Sequence, residues 1–145
     1  MPGTAPFRNQ PILTSDQLRA RLPGFYKSLR EFNDGYFFES HETLEDLWMV
    51  TPWPARQFFQ GIIQLAAAFV HLARAEYPGT IKLLDAASDK LTGFAPAIFG
   101  VDVEALVADV RRAREELVEL GEERVRLWRS SNVPVIRYAP ANGFE

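Results

Sequence analysis

The chain contains two histidines, His41 and His71, and both lie in stretches patterned as helices. "FNDGYFFESHETLEDLW", residues 32–48, surrounds His41 with carboxylates: Glu42 follows it, Glu45 stands one turn later, and Trp48 closes the block. "RQFFQGIIQLAAAFVHL", residues 56–72, carries Gln60, Gln64 and His71 on an otherwise apolar background. Imidazole and carboxylate together suit zinc, iron or manganese, so His41, Glu45 and His71 are the candidate ligands for a divalent metal ion as cofactor. The same His41 and Glu45 can act as an acid–base pair when burial shifts their proton affinities. Gln60, Gln64, Glu42 and Trp48 are the candidates for contact with a bound ligand. Two better-known spacings fail. The zinc-protease helix needs a second histidine where Glu45 stands, and the Glu-x-x-His of di-iron bundles finds Phe38 three positions before His41.

A helical wheel at about 100° per residue divides the first block. Phe37, Leu44 and Trp48 fall on one side, and His41 points nearly the same way. Glu45 lies at the edge of this stripe, beside Phe38, whereas Glu39, Glu42 and Asp46 face solvent. In the second block Gln60, Gln64 and His71 stand at i, i+4 and i+11, on one narrow line. An unpartnered buried amide or imidazole costs on the order of 1–3 kcal/mol, so the line implies shared partners. The expectation is one internal network of His41, Glu45, Gln60, Gln64 and His71. Its leading interpretation is a satisfied polar network that fixes helix packing, making the protein a structural or interaction module that forms a homo-oligomer. The alternative is a metal-dependent or acid–base enzyme, hydrolase-like, with His41, Glu45 and His71 at its centre.

The elements that must position these residues are helical. At 145 residues the chain suits one domain. The expected organisation is an extended arm over residues 1–15, a bundle over 16–128 and an extended tail over 129–145. Helices are expected at 25–33, 36–49, 55–76, 80–92 and from 102 onward. A short helix precedes Pro23-Gly24, which is read as an interruption. Periodic stripes, short connections and the lack of strand pairs with turn chemistry predict an all-α, compact antiparallel bundle of about five helices. The segment 55–76 is apolar almost all round, which marks it as the central helix.

Composition narrows the function. A net charge of −3 disfavours a nucleic-acid surface. The absence of cysteine removes thiolate ligands and nucleophiles. No glycine-rich phosphate loop or nucleophile elbow occurs. No apolar run reaches the roughly 18 residues of a membrane span and no secretory signal opens the chain, so a cytoplasmic location is expected.

From Phe32 to Leu120 the chain resembles a bacterial and archaeal family designated domain of unknown function 309. The two quoted blocks carry the resemblance, with "YPGTIKLL" and "GVDVEAL" following in order. The resemblance implies a small, all-helical, intracellular domain and supplies no mechanism, cofactor or partner. The positions matching its motif are Phe32, Asn33, Gly35, Tyr36, Glu39, His41, Glu42, Glu45 and Trp48, then Gln60, Gly61, Gln64 and His71. It therefore includes Glu39 and Glu42, which the wheel turns outward.

Overall fold

The computed structural model describes residues 11–140. Five helices follow one another: α1 (Ser15–Asn33), α2 (Phe37–Trp48), α3 (Ala55–Ala73), α4 (Tyr77–Thr92) and α5 (Val103–Arg124). The first ten residues of the expected N-terminal arm, and the last five of the expected tail, lie outside the described residues.

A capping box starts α1. Gln17 donates its backbone N–H to Thr14 Oγ1 (3.2 Å), and Thr14 N–H donates to Gln17 Oε1 (2.9 Å). The helix then runs through Pro23 and Gly24, where the sequence predicts an interruption. Both residues are exposed, so the bond that proline removes lies on the wet side. Leu22, Phe25, Tyr26 and Leu29 meanwhile stay buried in one stripe. Burial of these large apolar groups, worth about 1.5–3 kcal/mol each, outweighs the roughly 3 kcal/mol that an interior proline costs.

After the turn at Gly35, α2 turns Ser40, Leu44 and Leu47 into the core. Ser40 Oγ donates to the Ser28 carbonyl at 2.8 Å, both residues fully buried, so α1 and α2 meet through small side chains. Helix α3 is central as expected, buried through Phe58, Phe59, Ile62, Leu65, Ala66, Ala68 and Phe69 between α2 and α4. Gly61 admits α4: a Cβ there would lie 2.9 Å from Leu91 Cδ2. Helix α5 packs on α4 and is tied to it by Arg114 Nε donating to Asp85 Oδ1 at 2.6 Å, which raises the guanidinium's proton affinity. Helical geometry in α5 breaks at Gly121 (φ 76°).

Two 3₁₀ turns, Val125–Leu127 and Ser130–Asn132 (the second inside the tail expected to be extended), and one hairpin escaped the sequence reading. "AIFGVD" forms a minimal antiparallel hairpin of β1 (Ala97–Ile98) and β2 (Val101–Asp102). Its turn residues Phe99 and Gly100 both take positive φ, as such a two-residue turn demands. The tail then lies along it. Asp102 N–H donates to the Arg137 carbonyl (2.9 Å), Ala139 N–H to the Gly100 carbonyl (2.9 Å), and Asn33 pairs with both backbone groups of Ile136. Tyr138 stacks on Tyr26 with centroids 5.5 Å apart. The described part of the tail thus drapes over the bundle. Among the described residues, no helix is long and apolar enough to cross a membrane.

Candidate functional site

The first motif block occupies α2, and its exposed flank carries the chemistry. The buried face runs through Ser40, Leu44 and Leu47, so His41, Glu45 and Trp48 stand beside that face, partly exposed. The wheel centred the stripe too far toward His41 because it counted Trp48 as interior and Ser40 as polar. In the fold Ser40 lies inside, since its hydroxyl finds a carbonyl.

His41 sits between two carboxylates. Its Nε2 is 3.8 Å from Glu45 Oε2 and its Nδ1 is 3.9 Å from Glu42 Oε2. The His41 side chain is 26% exposed, Glu45 38% and Glu42 57%. One ligand atom from each of the three lies within 4.8 Å of the others. Neither distance is a hydrogen bond. Phe38, three residues earlier, stacks its ring along the imidazole with centroids 6.4 Å apart.

Across the seam stands α3. Phe37 meets Phe69 at one end (centroids 5.4 Å) and Arg56 covers the Trp48 ring at the other (4.5 Å). The two helices therefore run antiparallel. Counting inward from these contacts puts His41 level with Gln64 and Glu45 level with Gln60. His41 Nδ1, Gln64 Oε1 and Trp48 Nε1 are all covered by protein, and no hydrogen-bond partner reaches them among the described residues.

The structure does not bring His71 to this group. It lies seven residues beyond Gln64, about 10 Å further along the helix. There its Nδ1 meets Glu76 Oε1 at 2.6 Å. The ring packs over Gly79, where a Cβ would come within 3.3 Å of Nδ1. The expected five-residue network thus divides into two places, because one helix line of eleven residues outruns a single site. Glu42, turned outward on the wheel and included by the motif, is the third carboxylate-or-imidazole member beside His41. Sequence reasoning missed Arg56. Its only signal was position, on the far side of the "TPWP" turn from Trp48.

A family model described as Domain of unknown function (DUF309) matches residues 25–83. That span runs from the middle of α1 into α4 and contains both motif blocks, so the resemblance to this family is shown there. "GVDVEAL" lies beyond the matched segment. No curated protein and no solved structure matches the chain.

Proposed function

We propose that the domain binds a divalent transition-metal ion on the α2 flank, with His41 and Glu45 as ligands and Glu42 beside them. One observation carries this reading: the imidazole and two carboxylates converge without hydrogen-bonding one another. Ligand bonds of 2.0–2.2 Å place the donor atoms of one sphere ~2.9–4.2 Å apart, depending on the angle at the metal. One ion takes a single ring nitrogen: His41 Nε2 and Glu45 Oε2, 3.8 Å apart, fall in that range, whereas the 3.9 Å contact of Glu42 is to the other nitrogen, Nδ1. Imidazole with carboxylates suits zinc, manganese or iron. With His41 and Glu45 as its protein ligands the ion keeps coordination positions open, and Gln60 and Gln64, level with them on α3, would orient a water or ligand there. An open site of that kind supports hydrolytic or Lewis-acid chemistry.

Titration of metal-free protein with Zn²⁺, followed calorimetrically, tests the assignment. One equivalent is expected to bind, and His41→Ala and Glu45→Gln should each weaken it at least about tenfold with the helical circular dichroism intact. A wild-type protein that takes up no ion overturns the proposal.

A second reading, self-association, draws on Tyr36 and Phe38, which are 59% and 54% exposed at the start of α2. Light scattering on the wild type and Phe38→Ser tests it, a dimer lost in the variant being the supporting result.

A further inference from the structure

The Arg56 guanidinium is held unusually. It lies over the Trp48 ring, 4.5 Å from the centroid, and among the described residues no carboxylate pairs with it and no hydrogen bond uses it. Stacking engages only the face of the group, so all its in-plane N–H donors remain available. Most half-covered arginines here behave differently: Arg112 and Arg114 each grip a carboxylate.

Two further features give the same spot a positive character. Arg56 sits in the first turn of α3, a 19-residue helix with no acidic residue there and no side-chain cap. A cation at that end works against the helix dipole, and an anion would relieve it. The Trp48 indole N–H is also a donor with no acceptor, covered within the seam. As part of the ring that Arg56 covers, this buried N–H reports on what happens at the guanidinium. Trp48 follows Glu45 by three residues and His41 by seven, so all three share one flank of α2.

We infer that Arg56, fixed face-on by Trp48, anchors an oxyanion, a phosphate or carboxylate group, of the ligand that the His41–Glu45 site takes. The link to that site rests on the proposed metal reading, while the anion contact itself does not. Planar donors in a fork match two oxygens of either group. With Glu42 and Glu45 offsetting a divalent ion, Arg56 supplies the uncompensated positive charge one to two helical turns from the metal ligands. The ligand class is accordingly a small anion whose reactive end lies about 5–10 Å from its charged end, the rise of one to two turns.

The test uses ¹⁵N-labelled full-length protein without metal, with the Arg56 Nε–H and Trp48 Nε1–H cross-peaks assigned through Arg56→Gln and Trp48→Phe. Inorganic phosphate and acetate are titrated separately. Saturable shifts of both cross-peaks are expected, and in Arg56→Gln the remaining Trp48 shift should need roughly tenfold more anion. The anion that saturates first names the group. Shifts that never saturate, or equal affinity in Arg56→Gln, overturn the anchor. Because no metal is present, that failure is separate from a failure of Zn²⁺ to bind at His41.

Discussion

Gln64→Met separates a binding seam from a packing network. Gln64 lies level with His41, and its Oε1 is covered without a hydrogen-bond partner among the described residues. A buried acceptor left unpaired carries a desolvation penalty of about 1–3 kcal/mol. Methionine has nearly the same length, volume and helix propensity, and its thioether needs no partner. Some of the penalty returns as the amide loses contact with water, because the side chain is only partly buried. The net expectation is a gain of ~1 kcal/mol. At ~2.1 cal/mol/K of unfolding entropy per residue, a chain of this length moves its Tm up by ~3 °C. Urea unfolding at equilibrium supplies the free energy and scanning calorimetry the Tm. On the proposed reading the same variant should bind Zn²⁺ or its accompanying ligand more weakly, since Gln64 lies level with His41. A loss of 1 kcal/mol or more would refute the reasoning. It would mean that Gln64 is a satisfied strut between helices, and that the seam was built for packing.

Three other outcomes follow from particular contacts. His71→Gln breaks the exposed 2.6 Å contact with Glu76, so stability should change by less than ~1 kcal/mol and Zn²⁺ affinity by less than about twofold. Abolished metal binding in that variant would return His71 to the site. Gly61→Val drives a branched side chain against Leu91, which is fully buried and cannot swing aside. Chemical unfolding should show a loss of about 1–3 kcal/mol, and no loss would mean that α3 and α4 are not in close contact. Gly100→Ala combines a positive φ of 77° with a Cβ placed 1.8 Å from the Ala139 carbonyl oxygen. The tail should lift from the hairpin, read as faster amide hydrogen exchange at Ala139, and unchanged protection there would contradict the described draping.

The apolar stripes by themselves determined the five helices and the centrality of α3, because helical burial repeats every 3.6 residues and long stripes leave little choice. They also marked the residues that matter chemically: His41, Glu42, Glu45 and Trp48 share one short helix, where His41 and Glu45 at i, i+4 meet before any tertiary contact forms and Trp48 follows two turns along the same flank. The course of α1 through Pro23 was decided by the core, since local propensity gives way when four large side chains are buried beyond the break. Ser40 had to find the Ser28 carbonyl before it could lie inside, and that contact rotated His41 to the flank. The separation of His71 from His41, and the seating of Arg56 on Trp48, depend on how far α3 slides along α2. That offset is set by packing between helices, and no periodicity within either helix encodes it.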